Sequence, residues 1–482
     1  MILNLIVLNI IIILILLLIP NKFLKFIRLF SLISSFILFI LSLSLWVFFN
    51  NNSTNFQFYT KFDWLDSFNL TFAFGLDGLS LFFLILSTFL IPLCILVSYY
   101  SVTYRLKEFL ILLFCIELFL IIIFSILDLI LFYIFFEAIL IPMFLLIGVW
   151  GSRRERIYAA YQFFFYTLVG SLFMLVGVLI LYSHVGTTDY LIILNSSFSE
   201  IRQIFLWLAF FASFAVKIPM LPFHIWLPQA HVEAPTAGSV ILAGILLKLG
   251  GYGFLRFSIP MFPFASKFFI PLIFTMSLVA IVYASLTTIR QIDLKRIIAY
   301  SSVAHMNYIT LGMFSFNLTG LEGAYFLMLS HGLVSSALFL GIGCIYDRYK
   351  TRIIRYYGGL AQIMPLFAFV FLFLTFSNIS FPLTSGFVGE ILIIVGVFEI
   401  NKFAAIIASI GTVFGAVYSI WVYNRIFFNG PLSKYIQKYS DMNRREFYIF
   451  LPLIILIIYF GVYPNIIFES IHLTFINMLN YF

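Results

Sequence analysis

Apolar runs of about twenty residues follow one another from Ile2 to Phe468, separated by short polar breaks. A bilayer core about 30 Å thick is crossed by roughly 20 apolar residues in an α-helix. The pattern therefore predicts spans near 2–19, 27–49, 76–100, 109–127, 129–148, 158–183, 204–229, 236–257, 268–289, 295–315, 320–346, 361–400, 403–428 and 447–467. The expected fold is all-α: a polytopic membrane protein of about 14 transmembrane helices forming a single membrane domain, residues 1–482. The seventh span is interrupted by Pro219, Pro222 and Pro228; the twelfth is about twice the usual length, with Pro382, Gly386 and Gly389 near its middle. Both read as broken helices. They are five apart in order, so they run through the membrane in opposite directions, which is the mark of two inverted five-helix repeats. The repeats fall at 109–257 (spans 4–8) and 268–428 (spans 9–13), with the working site expected near the breaks.

Charge in the loops tests the count. Loops after odd spans hold 20 of the 27 basic residues, among them Lys22, Arg105, Arg153, Lys295, Arg352, Lys434 and Lys438. Loops after even spans hold Lys61, Arg202, Arg256, Lys267 and Lys402. A missed or invented span would scramble this split, so both termini are expected on the outer side. The first run lacks a basic n-region and leads into Pro20-Asn21-Lys22 without a small-residue cleavage pattern, so it is expected to be a retained helix.

Composition narrows the class. The chain is 63% hydrophobic and 10% charged, whereas soluble domains are about 25% charged. The net charge of +8 resides in short loops rather than on a basic helix, so no nucleic acid is expected as a partner. Cys94, Cys115 and Cys344 lie inside apolar runs without C-x-x-C spacing, which supports neither a disulfide framework nor a metal cluster. No phosphate loop, cysteine cluster or H-E-x-x-H is present in the sequence, so no redox centre, cofactor or metal is expected on this chain. The 63 phenylalanines and abundant isoleucine are what a very AT-rich genome encodes, which suggests an organelle-encoded protein.

An ionised residue at the centre of a span costs about 2.5–3.5 kcal/mol, so each needs a partner, water or a task. Four stand out: Glu137 in span 5, Lys217 at the break of span 7, Lys248 in span 8 and Glu390 in the second half of span 12. If spans 5 and 7 pack together, the lysine holds the Glu137 carboxylate charged, and its withdrawal favours proton uptake. The competing reading is a static buried pair. Lys248 lies about 18 Å into its span at 1.5 Å per residue, too deep for comfortable snorkelling. His305 and His331 have hydroxyl-rich surroundings and serve either as proton relays or as packing groups. His224 and His231 flank the break of span 7, as parts of a water inlet or as backbone caps. Glu117 in span 4 has no assigned role, Asp128 sits at a span boundary, and Asp77 is placed at a helix N-terminus.

Three stretches carry a family resemblance: Phe135-Phe136-Glu137-Ala138-Ile139-Leu140-Ile141-Pro142 running to Trp150-Gly151; Lys217-Ile218-Pro219 through His224 to His231-Val232-Glu233-Ala234-Pro235-Thr236; and Asp293-Leu294-Lys295-Arg296 with Ala299-Tyr300-Ser301-Ser302. The whole chain resembles the antiporter-like membrane subunits of respiratory NADH:ubiquinone oxidoreductase (complex I). Glu390, where relatives tend to carry lysine, narrows the resemblance to one member of that set. It implies a carboxylate–lysine pair at Glu137 and Lys217, a central lysine at Lys248, connecting histidines at His305 and His331, and a terminal acid at Glu390 near an exit or neighbouring subunit. It also implies NADH, FMN, iron–sulfur clusters and ubiquinone on other subunits, with other membrane-arm subunits and the lipid bilayer as partners. The location it implies is the mitochondrial inner membrane, or alternatively a bacterial plasma membrane. Two functional alternatives are a subunit of a multi-subunit cation/proton antiporter and a structural spacer of the membrane arm.

Overall fold

The computed structural model describes residues 1–65, 69–428 and 440–482, so Lys434 and Lys438 lie outside the described residues. Helices α1 (Ile2–Leu18), α2 (Leu24–Val47), α3 (Gly78–Ser101), α4 (Leu106–Ser125), α5 (Leu129–Trp150), α6 (Arg156–Val185) and α7 (Glu200–Lys217) come first. After the first break come α8 (Trp226–Glu233), α9 (Thr236–Met261), α10 (Ile270–Arg290), α11 (Leu294–Met313) and α12 (Leu318–Tyr349). The chain continues through α13 (Pro365–Asn378), α14 (Ser385–Ile400), α15 (Lys402–Phe427), α16 (Arg444–Val462) and α17 (Asn465–Leu479). Among the described residues, ten helices are long and apolar enough to cross a membrane; Ile2–Leu18 and Pro365–Asn378 are shorter apolar helices.

Two compact units divide the chain. The first comprises Met1–Lys217, Leu249–Phe269 and Glu469–Phe482. In it α4 packs against α1, α3 and α5, and α6 packs against both α5 and α7. One feature departs from the all-α expectation: β1 (Gln57–Leu65) and β2 (Leu70–Leu76) form an antiparallel hairpin, pairing Thr60 with Phe74 and Phe62 with Phe72. Its signal was present in the alternation of Tyr59, Lys61 and Asp63 with Phe58, Thr60, Phe62 and Trp64, which has the two-residue period of a strand. Phe74 bridges to Ile126, and Asp128 caps α5 through Leu131 N–H while accepting from the Thr188 hydroxyl at 2.6 Å.

The second unit comprises Ile218–Lys248 and Ile270–Phe468. Its tightest crossing is α12 on α14, where two glycines let the backbones meet. A Cβ on Gly389 would come within 2.9 Å of the Leu327 backbone, and one on Gly323 within 2.7 Å of Leu392 Cβ. Side chains are excluded there, and the adjacent Glu390 is held against the bundle interior.

Both prolines-rich segments are breaks. Helix α7 stops at Lys217, because Pro219 cannot continue the backbone ladder. The segment between α13 and α14 turns through Ser380 and Leu383, both at positive φ (60° and 75°), an unusual backbone for residues with a Cβ. Helix α9 is continuous but contains two π-helical turns, Leu242–Leu246 and Phe254–Ser258. Such turns insert an extra residue into the ladder and occur frequently at functional sites.

Candidate functional site

In the first unit, Glu137 is on α5 and Lys217 is the buried last residue of α7. The Lys217 ammonium stands 4.3 Å from the ring centroid of Phe136, the residue beside Glu137. Lys217 and Ser171 are the groups acting on the Glu137 carboxylate, and its Oε1 is buried with no hydrogen-bond partner among the described residues. The lysine thus lies on an aromatic face next to a carboxylate that it influences through space. A desolvated cation on a ring gains about 2 kcal/mol, which offsets part of the cost of burying the ammonium.

In the second unit, four of the expected residues form a row. Lys248 is 0% exposed; its Nζ is 2.7 Å from His331 Nδ1 and also donates to the carbonyl of Ala243. Ala243 lies in the first π-helical turn, whose displaced ladder presents that carbonyl to the ammonium. The His331 and His305 rings are 5.6 Å apart, and His305 Nδ1 lies 3.0 Å from Glu390 Oε1. The row therefore reads Lys248, His331, His305, Glu390. Glu390 is a direct partner of His305 and is 5% exposed. Tyr308 and Tyr418 flank it. A cavity of about 30 Å³, bounded by Ser301, Thr375, Asn378 and Tyr418, is large enough for one water molecule.

His231 stacks on Phe339 at 4.7 Å, with Lys295 and Lys248 as the charges acting on it. Neither of its nitrogens has a hydrogen-bond partner among the described residues, so it caps no backbone. His224 packs edge-on to Tyr283, near the Pro222 carbonyl.

Three residues counted as loop charges are interior. Arg352 is 1% exposed, lies 3.6 Å from both Glu233 and Asp293, donates to the Val232 carbonyl and stacks on Tyr346. Lys295, also buried, donates to the Ala234 carbonyl at 2.7 Å. These groups tie α8 and the start of α9 to the start of α11. Sequence reasoning missed them because their runs are polar and sit at span ends. The Glu233 in His-Val-Glu-Ala-Pro was the available signal, an acid that needs a buried cation. Arg352→Met leaves two buried carboxylates short of a counter-charge, a loss of about 3–5 kcal/mol. A lower thermal transition of the purified complex and reduced assembly on native gels are the expected outcomes.

Arg256 is the third of these interior charges. It lies inside α9 in the second π-helical turn and makes a two-pronged ion pair with Asp77, at 2.8 Å for one prong. Tyr252 supports it, and Phe56 and Tyr190 flank the guanidinium. Asp77 has its expected place, capping α3 through Ser80 N–H. It is also the counter-charge of Arg256, which the sequence reading did not foresee because the two are far apart along the chain.

The chain as a whole has known relatives. The family described as NADH:quinone oxidoreductase/Mrp antiporter, transmembrane, matches residues 127–415. The chain is 60% identical over 463 residues to NADH-ubiquinone oxidoreductase chain 4 of Chondrus crispus, covering 96% of this chain and 94% of that one. It is 56% identical to the protein of the same name from Arabidopsis thaliana, with the same coverage. A chain in the structure of respiratory complex I from Thermus thermophilus with bound NADH superposes with a TM-score of 0.90 at 29% identity, covering 100% of this chain and 99% of that one.

Proposed function

From the premise that the chain belongs to the NADH:quinone oxidoreductase/Mrp antiporter transmembrane family, we infer that it is a proton-translocating membrane subunit of respiratory complex I. It works among the other membrane-arm subunits, including antiporter-like neighbours, in the mitochondrial inner membrane. NADH oxidation and quinone reduction are assigned to other subunits, which carry the FMN, the iron–sulfur clusters and the quinone. The proposal extends to a chain of 14 spans with inverted repeats at 109–257 and 268–428, whose breaks are the interruptions after α7 and after α13.

The observation that carries the mechanism is the row Lys248–His331–His305–Glu390, whose polar contacts lie within a buried interior. Each member carries a group of the kind that accepts and releases protons. The row conducts within the second unit. In the first unit, the Lys217 ammonium has two stations, the face of Phe136 and the carboxylate of Glu137. Approach to the carboxylate expels its proton; retreat to the ring restores the affinity. Expelling one charge against 100 mV costs about 2.3 kcal/mol, within reach of a counter-charge moving in a poorly screened interior.

NADH-driven proton uptake in membranes carrying Lys217→Ala, with assembly followed on native gels, tests the reading. Intact assembly with lost uptake is expected. Normal uptake would reduce Lys217 to a packing residue and return the chain to the role of a spacer.

A further inference from the structure

Glu117 on α4 has no part in either site, yet it is 0% exposed and neither carboxylate oxygen has a hydrogen-bond partner among the described residues. On α1, Asn9 is equally buried, and both of its side-chain polar atoms are likewise unpartnered among the described residues. The two belong to helices that pack against each other. Their relative height follows from Lys107, whose ammonium donates to the carbonyls of Leu17 and Ile19 at 2.7 and 2.8 Å and so fixes the start of α4 beside the end of α1. From there Asn9 lies about 12 Å back along α1 and Glu117 about 15 Å forward along α4, at 1.5 Å per residue. Both therefore lie at similar heights along the paired helices.

Their faces agree as well. Asn9 lies on the one buried stripe of α1, with Leu5, Ile6, Ile12 and Leu16. Phe119 of α4 meets Phe135 of α5 at 5.9 Å, and Glu117 is about 200° around the helix from Phe119, so the acid turns away from α5. Glu137 is the only charged residue of α5, and α1, α3 and β2 contain none; α2 has Lys25 and Arg28 in its first turns. Tyr252 meets α4 at Phe124, two turns away. Among the described residues of these elements no counter-charge stands level with Glu117, so an ionised carboxylate is left unpaired by them, whereas a neutral acid needs only hydrogen bonds.

We propose that Glu117 and Asn9 form a second, internal proton-holding site in the first unit, in which a protonated Glu117 is hydrogen-bonded to the Asn9 carboxamide through water. A carboxylic acid and a carboxamide together present two donors-and-acceptor groups that a bridging water can satisfy, and a leucine pair would satisfy the packing without them. The presence of an acid where none is needed for packing points to a proton that is exchanged. Its height matches that of Glu137, each ten positions from Leu127 between antiparallel α4 and α5. This assignment rests on the proton-translocating reading for its use, but its chemistry does not.

Infrared difference spectra of the assembled complex, recorded on adding NADH in H2O and D2O, test both parts. A carboxylic-acid C=O band that shifts in D2O is expected in the parent, absent in Glu117→Gln and moved towards the non-hydrogen-bonded position in Asn9→Leu. Glu117→Gln is also expected to assemble and to lose protons pumped per NADH. If that variant assembles poorly, the Asn9→Leu band alone decides. An unchanged band in both variants, or full pumping by Glu117→Gln, overturns the proposal. Loss of the Glu117 band together with normal pumping by Lys217→Ala would leave this site standing and the Glu137–Lys217 mechanism fallen.

Discussion

Replacing Glu137 by glutamine is expected to abolish proton translocation while the complex still assembles. Glutamine has the size of glutamate but can neither take nor release a proton. Lys217 retains the face of Phe136, so the cation is not stranded. That alternative support is the reason assembly survives, in contrast to pairs whose partner is lost outright. A positioned acid or base contributes about 10²–10⁴-fold to proton transfer, so coupled NADH oxidation is expected to fall by roughly 100-fold. NADH oxidation and proton uptake measured together, beside a native gel, distinguish this result from misassembly. A parent-like proton-to-electron ratio in Glu137→Gln would show that the carboxylate is not titrated during turnover.

Lys248→Arg is expected to fail almost as completely as Lys248→Met, although it keeps the charge. The ammonium occupies a fully buried place between the Ala243 carbonyl and His331 Nδ1. Methionine fills the volume, removes both hydrogen bonds and isolates the His331–His305–Glu390 segment. Arginine remains protonated under all working conditions, so it can hold position but cannot hand a proton to His331. Proton uptake near the background level in both variants, with the assembled complex present, is the expected result. Pumping by Lys248→Arg would mean that the residue acts as a fixed charge and the row conducts without it.

Several parts of this protein were legible in the sequence. Apolar runs of membrane-spanning length leave the backbone no solvent to bond with, so helices follow from composition alone. Pro219 and Pro382 marked the breaks, because proline lacks the amide the ladder needs. Glu137, Lys217, Lys248 and Glu390 were conspicuous for a thermodynamic reason: each is costly in its surroundings, and cost is visible in one dimension. The hairpin of β1 and β2 was also encoded, in an alternation masked by its aromatic content.

Pairing was a different matter. Nothing local in the chain states that His305 faces Glu390, that His331 takes the ammonium of Lys248, or that Arg256 is matched by Asp77 across 179 positions. Arg256, Lys295 and Arg352 read as loop charges because a hydropathy window registers only where apolar runs end, whereas their burial is decided by what folds over them. The α12–α14 crossing, set by glycines on both helices, brings Glu390 to its place only once the two chains of side chains are packed. The sequence by itself determined that there are membrane helices and which residues are too expensive to be idle. Tertiary structure alone decided which of those residues meet, because a hydrogen bond acts over about 3 Å while the residues that form it are scattered along hundreds of positions of chain.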